Sequence, residues 1–169
     1  MLEMKLAGIA LDAATRSPIV LLRDSTERRQ LPIFIGQDQA RAIINALENQ
    51  VPPRPLTHDL MVNVFDECDM ELERVVIHSL HDNTFYAILT IRQASGKTRE
   101  IDARPSDAIA LALRTDSPIL VMEEVIADAS IPVDRDADEA ERKEFRNFLA
   151  NLSPRDFSEQ GQLGTNSEE

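Results

Sequence analysis

The run Ala108-Ile-Ala-Leu-Ala-Leu113 limits what this chain can become more than any other stretch. Six apolar residues in succession wrap most of a helix's circumference, so a helix over 106–114 has to sit at the centre of a fold. Its charges stand only at the ends. Asp107 is in the first turn and Arg114 in the last, each with the sign that the helix dipole favours.

A helix with no solvent face needs other elements around it. Residues 4–11, 18–22 and 30–35 are dense in Ile, Val and Leu with turn residues between them, the pattern of strands. Beyond Gly36 a helix is expected from about Asp38, where Ala40, Ile43, Ile44 and Leu47 recur at helical spacing. Pro52, Pro53 and Pro55 stop it. A second helix is expected over 57–69, with Thr57 as N-cap and with Leu60, Met61, Val64, Phe65 and Cys68 facing inward. Residues 71–81 and 84–93 read as a hairpin turning at Asp82-Asn83, 97–103 as a further strand and 118–122 as a short one.

These elements predict one α+β domain, a mixed β-sheet with a central buried helix and flanking helices, over 1–133. An amphipathic helix carrying Phe145, Phe148, Leu149 and Leu152 is expected within 134–152, packed on that domain. Residues 153–169, poor in apolar side chains, are expected to be disordered. Three strands and a helix in 4–49, and again in 71–115, fit an internal duplication of a β-β-β-α unit.

Eighteen Lys and Arg against 30 Asp and Glu give a net charge of −12, of which 1–133 holds −7. No basic stretch advertises non-specific attraction to nucleic acid, so a polyanionic ligand would need a local cationic site or bound metal ions. No apolar run approaches the roughly 20 residues of a membrane span. Glu3 and Asp12 flank a short apolar stretch with no small-residue cleavage site, unlike a secretory signal. Cys68 is the one cysteine and cannot form an internal disulfide. A cytoplasmic protein is expected. Glycine-rich phosphate loops, nucleophile elbows and the usual structural zinc spacing are all missing.

Two segments share one grammar. Arg54-Pro-Leu-Thr57-His58-Asp59 and Arg104-Pro-Ser106-Asp107 each set Arg-Pro before a hydroxyl and an aspartate at a helix start. The bland account is structural, with proline stiffening the entry, the hydroxyl capping and the carboxylate meeting the dipole. The functional account is an anion site made by a helix N-terminus and an arginine. If the two starts converge, their guanidiniums and carboxylates share one cleft. Asp102, one residue from a strand end, can reach it. His58, in a first helical turn, is placed to accept a proton or bind metal. His78 and His81 lie three apart on a strand and are expected on opposite faces. Asp66, Glu67, Asp69, Glu71 and Glu73 read as a solvated acidic turn.

Leu31-Pro-Ile-Phe-Ile-Gly36 before a helix, Arg54-Pro-Leu-Thr-His-Asp-Leu60, and Ile101-Asp-Ala-Arg-Pro-Ser-Asp-Ala-Ile-Ala-Leu-Ala112 resemble, in that order, the motifs of the bifunctional nuclease domain family. The resemblance runs from about Met4 to Ile131. It implies hydrolysis of phosphodiester bonds in DNA and RNA, a nucleic-acid substrate, no membrane partner, and self-association, most simply as a dimer. It singles out Arg54, Thr57, His58 and Asp59, then Asp102, Arg104, Ser106 and Asp107. The chemistry of these residue types then suggests His58, Asp59 and Asp107 as catalytic and Arg54, Arg104, Thr57 and Ser106 as phosphate-binding. Asp59, Asp102 and Asp107 are the candidates to hold a divalent metal, Mg or Mn. Gln39 stands where the family often has a glutamate. The competing expectation is a non-catalytic oligomeric binding or regulatory module whose Arg-Pro-Ser/Thr-Asp segments are structural clamps.

Overall fold

The computed structural model describes residues 1–133 together with 143–144 and 146–147. The helix expected within 134–152 and the tail expected over 153–169 therefore lie outside the described residues, four positions apart. The described chain runs β1 (Leu2–Leu11), β2 (Pro18–Asp24), β3 (Arg29–Phe34), α1 (Gln37–Leu47), α2 (Thr57–Glu67), β4 (Met70–His81), β5 (Thr84–Gln93) and β6 (Thr98–Ala103). It continues as α3 (Pro105–Thr115), β7 (Ile119–Val121), α4 (Glu123–Ala129) and β8 (Ile131–Pro132).

All eight strands form one sheet in the order β6-β5-β4-β7-β1-β2-β3-β8. Each neighbouring pair is antiparallel except β4 and β7, where Val75, Val76 and Ile77 run parallel to Ile119, Leu120 and Val121. A parallel neighbour needs a crossover, and α3 supplies it by carrying the chain from β6 back to β7. The expected α+β fold with a mixed sheet is what forms.

α3 is the centre of the core. Its residues Ala108 to Ala112 are buried, with Ile109 at 0% and Leu111 at 1% exposure. It packs on β4 and β5, and α1 and α2 pack against it. Ala40 and Ile43 of α1 enter the same core with Val75, Ile77, Ala87, Leu89 and Ile91 of the hairpin. The turn of that hairpin has Asp82 and Asn83 both at positive φ, as a tight two-residue hairpin turn requires.

Four local readings are corrected. α2 buries only Phe65, because a narrow stripe through His58, Val62 and Phe65 is all that meets α3 and β4. Leu60, Met61, Val64 and Cys68, expected inward, are exposed. Thr57 and Ser106 are not N-caps. Proline at the first helical position of α3 moves the cap back to Arg104, and α2 starts at Thr57 with Leu56 as its cap. A β-bulge between Ile77 and Ser79 breaks the alternation of β4, so His78 and His81 both lie against Tyr86, with ring centroids 6.5 and 6.0 Å away. Finally, α4 and β8 follow β7 where no element is legible in the sequence pattern.

Candidate active site

Three helices begin around one cleft. The N-caps of α1, α2 and α3 are Gly36, Leu56 and Arg104, none of which has a side-chain oxygen to offer the first-turn N–H groups. Each first turn also carries an aspartate, Asp38, Asp59 and Asp107, which offsets part of the positive charge of that end. Leu56 and Arg104 line a cleft of about 940 Å³ between the helices and the β5–β6 end of the sheet. Gly36 and Arg104 line an adjoining one of about 350 Å³.

Asp107 organises the floor. Its Oδ2 accepts a 2.6 Å hydrogen bond from Arg104 Nε, and its Oδ1 lies 3.1 Å from His58 Nε2. This contact joins the start of α2 to the start of α3, so the two Arg-Pro segments do converge. Burial pushes the Asp107 carboxyl up, but the bonds from Arg104 and His58 outweigh that and hold it below its usual value. The same bond to Asp107 raises the Arg104 guanidinium. Since the carboxylate is ionised and accepts only, His58 Nε2 carries the hydrogen of that bond, and in the neutral ring the lone pair then belongs to Nδ1. The His58 side chain is 14% exposed and that of Arg104 is 67% exposed.

Asp59 has a different fate. Its Oδ1 accepts from Arg114 Nε at 2.7 Å, and its Oδ2 accepts from the Leu56 N–H at 2.9 Å. The Arg114 bond, against the opposing effect of burial and with help from Leu56, lowers the Asp59 carboxyl. Arg114 Nη1 also donates to the carbonyls of Ala42 and Ala110, at 3.0 and 2.8 Å. One guanidinium thereby ties α1, α2 and α3 together. Sequence reading saw in Arg114 only a dipole partner. The available signal was that a lone charge ends an otherwise apolar, buried helix.

The remaining candidates divide. Thr57 and Asp102 line the larger cleft with His58, Arg104 and Asp107, while Ser106 is buried beside the smaller one. Arg54 is exposed and lines neither. Asp59, committed to Arg114, is not brought together with Asp102 and Asp107. Both Asp107 oxygens are occupied, and among the described residues no three His, Cys, Asp or Glu side chains form a set that could hold a metal ion. The donor set expected for Mg or Mn therefore does not fit, and no step below runs through one. Gln39, whose position drew attention only as a family departure, lines both clefts.

An α+β domain with His58, Asp107 and Arg104 joined at converging helix starts is what the geometry gives. Comparison with known proteins gives it a family. The model of the bifunctional nuclease domain matches residues 20–134, and the chain belongs to that family. A Mycobacterium tuberculosis protein described as uncharacterized is 38% identical over 163 residues, covering 92% of this chain and 97% of that protein. Bifunctional nuclease 1 of Oryza sativa subsp. japonica and a bifunctional nuclease of Oryza minuta are each 27% identical over 112 residues. Those matches cover 65% of this chain and 34% of each rice protein. The family match includes all three helix starts. No helix among the described residues is long and apolar enough to cross a membrane.

Proposed function

We propose that the chain hydrolyses phosphodiester bonds of nucleic acids in the larger cleft. The observation that carries this reading is that one ionised carboxylate, Asp107, holds His58 and Arg104 at the same time. His58 Nδ1 takes a proton from the attacking water, and Asp107 orients the ring and stabilises the imidazolium that forms. Arg104 binds Asp107 through Nε, so its Nη groups are left to meet a phosphate and the charge that develops on it. The starts of α1 and α3, which no cap side chain satisfies, add positive potential, which an acidic protein needs locally to accept a polyanion. Membership of the bifunctional nuclease domain family supports the substrate class.

The test is digestion of single-stranded and duplex DNA and RNA by the purified chain, with and without chelator. His58→Ala and Asp107→Asn should each lose about 10²-fold or more in rate while staying folded. Arg104→Lys should also be impaired, since an ammonium offers no planar fork. The non-catalytic clamp keeps one specific observation, the Asp59–Arg114 pair, which is wholly structural. If the wild type cleaves no nucleic acid and Asp107→Asn loses only stability, the clamp reading replaces this one.

A further inference from the structure

The smaller cleft has no part in the chemistry just described, yet it shares a wall with it. Arg104 and Gln39 line both clefts, so they form the saddle between them. On the far side of that saddle stands Phe34, at the end of β3, with 60% of its surface exposed. A large aromatic ring at a cleft mouth is unfavourable in water and gains from a partner with a flat apolar face. Asn83 and Thr84, at the β4–β5 turn, line the same cleft and supply polar groups. The cleft holds about 350 Å³, at the small end of ligand sites, while its neighbour holds about 940 Å³.

We propose that the smaller cleft is a second nucleotide subsite. The strand crosses the saddle with its scissile phosphate on Arg104, one flanking nucleotide lies in each cleft, and Phe34 stacks on the base in the smaller one. This rests on the nuclease reading and adds to it that the bonds cut are internal to the strand. Both clefts are open to solvent, so the strand can continue beyond each. The closeness of Gly36 to Gln39 belongs to the same design. Gly36 leaves room for the end of the Gln39 side chain, which a Cβ there would push aside.

The full chain is tested on two substrates, a covalently closed single-stranded DNA circle and the p-nitrophenyl ester of thymidine 5′-phosphate. The circle has no ends and is opened only if nucleotides fit on both sides of the bond. The wild type should open it. Phe34→Ala should raise KM for the circle about tenfold more than KM for the ester, and Phe34→Trp should restore it. Hydrolysis of the ester with the circle left intact overturns the subsite but not the nuclease reading, as does an equal shift of both KM values. Hydrolysis of neither substrate fails the nuclease reading. Fluorescence anisotropy of a labelled DNA strand of about ten nucleotides then decides the subsite alone. Weaker binding by Phe34→Ala supports it, and equal binding overturns it.

Discussion

Asp59 and Asp107 occupy the same place in the same motif and do opposite work. Asp107 faces a cleft and holds two groups that can act on a ligand, while Asp59 turns into the helix junction and accepts from Arg114. The side chains of Asp59 and Arg114 are 27% and 10% exposed, so their bond is only partly screened. Asp59→Ala should cost about 2 kcal/mol, the usual range for a hydrogen bond between charged groups, measured by denaturant unfolding. The pH dependence follows from the lowered carboxyl. An unfolded aspartate titrates near 3.9 and the folded Asp59 below that. Its contribution is therefore complete above about pH 4 and is lost as pH falls through the folded value. The stability gap between wild type and Asp59→Ala should stay constant from neutral pH to about 5 and close below about 4. A gap that persists unchanged in strong acid would mean that the loss is packing and not charge.

Among the elements, both α2 and α3 were readable from sequence as helices, but the buried face was readable only for α3, for a physical reason. Apolar residues all round α3 leave burial as the only outcome, and the structure buries it. Leu111→Asp should destabilise by about 3–5 kcal/mol, since the charge would have no partner, and a thermal melt with unchanged Tm would refute the placement. α2 carries apolar residues on more than one side, and periodicity cannot say which side meets the core. The stripe through Phe65 does, and Leu60, Met61 and Val64 do not. The shift of the caps to Leu56 and Arg104 is a matter of one and two residues, beyond what a motif resolves. α4 was illegible because seven residues with Val125 and Ile126 as their buried anchors show too little period. The bulge that gathers His78 and His81 on Tyr86 leaves no mark on the alternating pattern. At the site, the convergence of the two Arg-Pro segments was legible as a possibility. The choice of partners was not, because Arg114, which also donates to the Ala42 carbonyl, reaches Asp59 from elsewhere in the chain.

At the scale of the whole molecule, the outer side of α2 leaves apolar surface to account for. Leu60 and Val64 stand there, 55% and 46% exposed. We propose that a second copy of the chain covers this stripe, the self-association that the family resemblance implies. A two-fold contact brings the same patch from both copies together and needs no other partner. Light scattering at micromolar concentration should report a dimer, and Leu60→Glu with Val64→Glu should give a monomer of unchanged secondary structure. A monomeric wild type would remove the idea.

The two antiparallel halves of the sheet meet only through β7, three residues held between β4 and β1. Its partners come from the start and the middle of the chain, and its pairing with β1, Leu2 against Val121, spans more of the sequence than any other strand pair among the described residues. Each half can form from local hairpins before it closes, and loop entropy delays the closure to the descending side of the folding barrier. Val121→Ala should therefore have a φ-value near zero. In stopped-flow mixing, unfolding should quicken about tenfold while the refolding limb of the chevron stays in place, so that the seam sets how long the native state lasts and not how fast it is reached.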